Sequence, residues 1–212
     1  HDYVYYRCTK KYGNCSQPYI RDAVLVSEIN EMLAMFVLPA HWAKDFEERM
    51  EKDRHESERS ANASARVLQE KAQDIMRTLD RLMDLYIAQD IERDVYLVKR
   101  RALVSEKATL EEQIAVLERN ANAWLEPLRD WVSDAQSMDR ISKDPSLPAK
   151  KSALRKIFGS DLLLRNQELS GTAHPLYAAL RAAREKSATG DEVLVTANLF
   201  SLARTYFEQN PV

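Results

Sequence analysis

Cys8 and Cys15 are the only cysteines in the 212-residue chain, and both lie within its first twenty residues, HDYVYYRCTKKYGNCSQPYI. Thiolates are nucleophiles and soft metal ligands, so the pair is open to three chemistries: part of a zinc site, a redox couple, or two inert thiols. A zinc ribbon holds its metal tetrahedrally with two short knuckles, and Cys8 with Cys15 would make one of them. The other knuckle is missing, and His1 would supply one nitrogen yet leave the site a ligand short. A redox role is weaker, because the loop lacks the Cys-x2-Cys spacing that tunes thiol pKa. Two cysteines in a chain of this length do not make a disulfide scaffold either. Spacing alone leaves a metal site and two free thiols both open.

Other reactive side chains form no constellation. His1, His41, His55 and His174 are scattered without metal spacing and are read as structural or surface residues. No nucleophile elbow and no Gly-rich phosphate loop occurs. Carboxylates on the helical stretches stand beside Lys and Arg at helical spacing, which describes solvent-side ion pairs. No catalysis is therefore expected from this chain. With a formal net charge of -2 there is no global attraction to nucleic acid, so any DNA contact must come from local basic patches. Two such patches exist. Arg7, Lys10, Lys11 and Arg21 are interleaved with Tyr5, Tyr6, Tyr12 and Tyr19, and Lys150, Lys151, Arg155 and Lys156 cluster on a short helix. Each is either a set of phosphate contacts or a solvated face.

The elements that must carry these residues are mostly helices. Gly is scarce at four residues, and 30% of the chain is charged with both signs interleaved, the composition of long helices rather than of a glycine-turned enzyme. At 45% apolar the chain can bury a core. No apolar run is long enough to span a membrane, so a soluble, cytoplasmic protein with no membrane partner is expected. Residues 2–19 have strand formers and turn chemistry and predict a hairpin. Residues 21–38 predict a helix with Val24, Ile29, Leu33 and Phe36 near one face, ended by Pro39.

From Ala40 to Tyr86 there is no Gly or Pro, and Leu68, Ala72, Ile75, Leu79, Leu82 and Tyr86 recur in steps of four and three. That is a heptad seam. A second segment repeats Tyr96, Leu103, Leu110, Leu117, Trp124 and Trp131 every seven residues. Folding back at residue 91 pairs Tyr86 with Tyr96, Leu79 with Leu103, Ala72 with Leu110, Leu68 with Ile114 and Ala65 with Leu117. The seam turns polar at Glu58 and Arg54, while Phe46 and Met50 leave the stripe and Pro127 predicts a kink. Two helices of roughly 45 residues would make an antiparallel rod ~65 Å long, too thin for a catalytic cleft. Such a rod is an inert spacer or an arm whose tip, at Tyr86, Ile91, Val95 and Tyr96, meets a partner.

SKDPSLPAKK marks the next boundary. A helix over 148–158 stopped by Gly159, a strand in DLLLRNQEL, and helices over 174–186 and 191–207 are predicted beyond it. Asp191 would cap the last helix, whose buried side is expected to be Leu194, Leu199, Leu202 and Tyr206.

The segment YYRCTKKYGNCSQPYIRDAVL closely resembles the zinc-ribbon region of large serine recombinases, the phage-type serine integrases. That family shows Tyr-Tyr-x-Cys-Thr, a basic turn, a second Cys, and a Tyr-Ile-Arg step into a helix. LDRLMDLYIAQDIERDVYLVKRRAL is similar to the family's coiled-coil tip, with Gln89 where the family often has Gly, and IFGSDLLLRNQEL to its closing helix and strand. The resemblance covers residues 3–168. It implies that Cys8 and Cys15 are the third and fourth ligands of a four-cysteine zinc site, the first two lying upstream of His1 in a longer protein. It implies a DNA face at Arg7, Lys10, Lys11 and Arg21, and arms that join integrase dimers on two attachment sites and govern which sites recombine. A recombination directionality factor is a further implied partner. The catalytic serine would belong to an N-terminal domain outside this chain.

The expected architecture is thus mainly α, a long antiparallel coiled-coil hairpin projecting from a small α+β zinc-ribbon base, with C-terminal helices. Its divisions are 1–39 (second half of the ribbon and short helix), 40–137 (arm, tip near 88–94), 138–169 (linker and return helix-strand packing on the ribbon base) and 170–212 (helical tail). The competing expectation is a structural coiled-coil adaptor that holds a protein partner without touching DNA.

Overall fold

The computed structural model describes residues 3–11 and 13–210, so readings of His1 and Tyr12 lie outside the described residues. The fold is mainly helical, in the order β1 (Tyr5–Tyr6), β2 (Ile20–Arg21), α1 (Asp22–Ala34), α2 (Ala40–Ile87), α3 (Arg93–Asn120), α4 (Leu125–Lys143), α5 (Leu147–Phe158), β3 (Leu163–Arg165), β4 (Glu168–Ser170), α6 (Pro175–Ser187) and α7 (Glu192–Gln209). Two compact units result: residues up to Glu47 together with those from Pro127 onward, and the intervening residues 48–126. The second unit is therefore narrower than the 40–137 expected for an arm.

In the first unit an aromatic chain ties distant segments together. Phe36, fully buried after α1, meets Phe158 edge-on at 5.5 Å and Tyr177 at 6.2 Å. Phe46, in the early part of α2, meets Phe200 at 5.2 Å and Trp131 at 6.3 Å, and Trp131 lies 6.1 Å from Tyr177. Ring pairs at these separations add to what burial alone contributes. Pro39 precedes α2, and the Leu38 amide donates to Ala135 O at 3.1 Å, which fixes the turn between α1 and α2 onto α4. Ile29 and Leu33 of α1 are buried as expected, whereas Val24 is 40% exposed. At about 100° per residue Val24 lies about 180° around the helix from Leu33, so one stripe cannot hold both.

Residues after Ser170 belong to this core and are not a tail. Leu176, Leu180 and Ala203 are buried, and α6 lies against α7. Asp191 caps α7, accepting from the Val193 and Leu194 amides. The buried stripe of α7 runs through Thr196, Leu199, Phe200, Ala203 and Phe207. Leu194, at 59% exposed, and Leu202 face away from it. Leucine spacing misplaces the stripe because the small Thr196 and Ala203 belong to it.

The first strand pair joins Tyr5 with Arg21 and Tyr6 with Ile20, antiparallel, so the partner of β1 lies just beyond the expected 2–19 hairpin. DLLLRNQEL is a hairpin rather than one strand. Leu163 pairs with Ser170 and Arg165 with Glu168 around Asn166 and Gln167, both at positive φ (52° and 71°). Two left-handed residues are what a two-residue loop needs to follow strand twist, and Asn tolerates that region well.

In the second unit, Ala65, Ala72 and Ile75 of α2 are buried, and Leu68, Leu79 and Leu82 are half-buried. On α3 the seven-residue series Tyr96, Leu103, Leu110 and Leu117 is half-buried. The Tyr86 and Tyr96 rings stack with centroids 4.3 Å apart and planes 14° apart. At the other end Asn122 Nδ2 donates to Glu58 Oε1 at 2.9 Å, and Arg54 Nη1 donates to the same oxygen at 2.8 Å. Glu58 is thus paired from both sides, while Asn122 Oδ1 is buried without a hydrogen-bond partner among the described residues. The second long helix does not kink at Pro127; it breaks earlier, at residues 121–124, and restarts at Leu125. Proline has no N–H to donate backward and its ring crowds the preceding turn, so a restart that puts Pro127 in a first helical turn removes both conflicts.

Candidate nucleic-acid interface

The cysteines sit on the long loop between β1 and β2. Cys8 is exposed and Cys15 half-buried. The Lys10 amide donates to Cys8 Sγ at 3.5 Å, helped by Lys10 itself standing at φ 57°. That backbone N–H, then a hydrogen bond with the Cys15 thiol, then the Lys10 charge hold the Cys8 thiol below its ordinary pKa. Each favours the thiolate, the form in which cysteine ligates metal. Among the described residues, no group of three or more His, Cys, Asp or Glu side chains converges, so a zinc ion would need two donors beyond Cys8 and Cys15.

Around the loop the cations are exposed and the tyrosines position them. Arg7 Nη1 donates to the Tyr19 hydroxyl at 3.3 Å, and the Arg21 guanidinium lies 4.6 Å from the Tyr3 ring centroid. Tyr6 donates to Asp22 Oδ1 at 3.0 Å, a hydrogen bond that raises its own pKa. Lys10 and Lys11 are exposed at the turn. Arg7, Lys10, Lys11 and Arg21 of the expected DNA face are thus solvent-accessible, with Asp22 beside them.

The α5 cluster splits into three kinds of residue. Lys150 is only 2% exposed; its Nζ donates to Ser142 O at 2.9 Å and to Asn30 Oδ1. It holds α5 against α1 and the end of α4, and no phosphate can reach it, which corrects the expectation that it contacts DNA. Lys156 is half-exposed and pairs with Asp134 at 2.5 Å. Lys151 and Arg155, one turn apart, are exposed, and their side chains make no hydrogen bond or ion pair among the described residues. Helical periodicity separates them, because positions 150, 153, 154, 157 and 158 form the buried stripe of α5.

The β3–β4 hairpin is tied to the cysteine loop by two side chains. Gln17 Nε2 donates to Leu164 O at 2.9 Å, and Gln167 Nε2 donates to Tyr19 O at 3.3 Å. The cysteine loop and the β3–β4 hairpin are neighbours.

At the α2–α3 turn, Tyr86 and Val95 are exposed and Ile91 and Tyr96 half-buried. Sequence reasoning missed Ile87, 71% exposed, and Val98, 66% exposed, which enlarge the apolar surface there. Both lie off the heptad seam, and an apolar residue off the seam is the signal that would have found them. Gln89 adopts φ 62°, its amide bonding Tyr86 O at 3.1 Å while the Asp90 amide bonds Leu85 O at 3.0 Å. This is a helix stop that glycine usually makes.

No helix among the described residues is long and apolar enough to cross a membrane. No protein-family model, curated protein or solved structure matches the chain.

Proposed function

We propose that this chain is the DNA-binding and synapsis-controlling C-terminal part of a site-specific serine recombinase. The observation that carries the reading is the β1–β2 loop: two cysteines on one loop, Cys8 accepting from the Lys10 amide, within a rim of exposed cations. In the intact protein, Cys8 and Cys15 complete a four-thiolate zinc site that stiffens the loop, since structural zinc contributes its binding free energy to folding. Arg7, Lys10, Lys11 and Arg21 then contact phosphates, with Lys151 and Arg155 as a second contact. The stack of Tyr86 on Tyr96 and the Glu58–Asn122 hydrogen bond support an antiparallel coiled-coil hairpin over residues 48–126. Apolar side chains at its turn join a second copy or a directionality factor. Strand cleavage itself, by a serine that becomes joined to phosphate, belongs to another domain.

Fluorescence anisotropy with labelled duplex DNA tests this across a salt series. Replacing Arg7 and Lys10 by Ala is expected to weaken binding and to lower the slope of log affinity against log salt by about 0.9 for each phosphate no longer neutralised. A chain that binds no duplex DNA at low salt, with Cys8 and Cys15 intact and zinc supplied, would favour a protein-binding adaptor instead.

A further inference from the structure

A groove of about 630 Å³ opens in the first unit between β1, α1, α5 and the β3–β4 hairpin. Its walls are apolar, with Leu25 and Ile29 from α1, Leu154 from α5, and Leu162 and Leu169 from the hairpin region. Lys151 and Arg155 lie on its α5 side. The volume is that of a small-molecule site, in which a mostly apolar lining and a few polar groups fix one orientation. Polar partners for a sugar or a base are scarce. The Tyr6 hydroxyl donates to Asp22, and among the described residues Ser160 is the only other hydroxyl on the wall.

Charge decides the ligand class. Lys151 and Arg155 stand one helical turn apart and have no acidic partner among the described residues, while their neighbours Lys150 and Lys156 are both engaged. An arginine fork beside an ammonium matches a carboxylate, and the adjoining apolar wall matches a hydrocarbon chain. The geometry points to a binding site for a medium-chain carboxylic acid, its carboxylate held by Lys151 and Arg155 and its chain laid over Leu25, Ile29 and Leu154. Lys151 and Arg155 are also the second phosphate contact proposed above, so a bound carboxylate and DNA compete for them. The titration below is made without DNA, so that its outcome does not depend on that reading.

Titrating the isotope-labelled chain with decanoate, below its micelle concentration, and following amide chemical shifts tests the assignment. Saturable shifts are expected at Leu25, Ile29, Leu154 and Leu162. Decanol, of equal length but uncharged, should bind about tenfold or more weakly, as should decanoate to the Lys151→Ala/Arg155→Ala variant, since each removes a charge-assisted hydrogen bond. Equal affinity for decanol, unsaturable shifts, or shifts confined to Ile87 and Val98 would overturn the proposal. So would tight binding of an alternating leucine-glutamate hexapeptide with no response to decanoate, which would assign the groove to a protein partner.

Discussion

Lys150 Nζ reaches Ser142 O at 2.9 Å and Asn30, while Arg155, five residues on, meets solvent. Truncating the first leaves two acceptors without a donor and a small void, so Lys150→Ala should cost about 2–4 kcal/mol in urea unfolding. Lys151→Ala and Arg155→Ala should stay within about 0.5 kcal/mol of the parent, as exposed substitutions do. If Lys150→Ala unfolded like the parent, the buried role assigned to it would be wrong. Glu192 supplies a second residue-level test. Its Oε1 accepts from His41 Nε2 at 2.8 Å and from Trp42 Nε1 at 2.6 Å, and these bonds, His41 first, hold its pKa below the ordinary value. A depressed carboxyl stabilises the fold above the unfolded pKa, about 4.3, and loses that contribution as pH falls through the folded value. The Tm difference between the parent and Glu192→Gln should therefore be largest near neutrality and shrink below about pH 4. A difference constant with pH would mean that the carboxylate charge contributes nothing to that contact.

At the scale of elements, the turn after α2 is held by Gln89 in a left-handed conformation. A side chain there crowds the following carbonyl, and glycine avoids the conflict. Gln89→Gly should stabilise the 48–126 unit by about 0.5–1 kcal/mol, read as a higher denaturation midpoint. Tyr86→Ala should remove the stack on Tyr96, costing about 0.5–1.5 kcal/mol beyond the change in burial, measurable by a double-mutant cycle with Tyr96→Ala. The heptad made this contact legible, because steps of four and three converge on Tyr86 from one side and steps of seven on Tyr96 from the other. The turn itself was less legible: a glutamine in a glycine conformation leaves no mark in hydrophobic spacing.

For the whole molecule, the division into units makes a simple forecast. The rings of Phe36, Phe158, Tyr177, Trp131, Phe46 and Phe200 all belong to the first unit, and its strand pairs lie there too. Replacing residues 48–126 by a short Gly/Ser linker should leave a cooperative thermal transition by circular dichroism; its loss would show that the first unit depends on the second. Residue types and periods determined much of this protein: a helical chain, a long seam with its turn near residue 90, a cysteine pair on a loop among cations, and a capped final helix. These are local properties, set by spacing of three, four and seven residues and by the chemistry of single side chains. Only the tertiary structure decided that residues after Ser170 complete the core and that Lys150 is interior while Lys151 is not. Those outcomes depend on which helix faces meet across more than a hundred residues of sequence, and no local period carries that information.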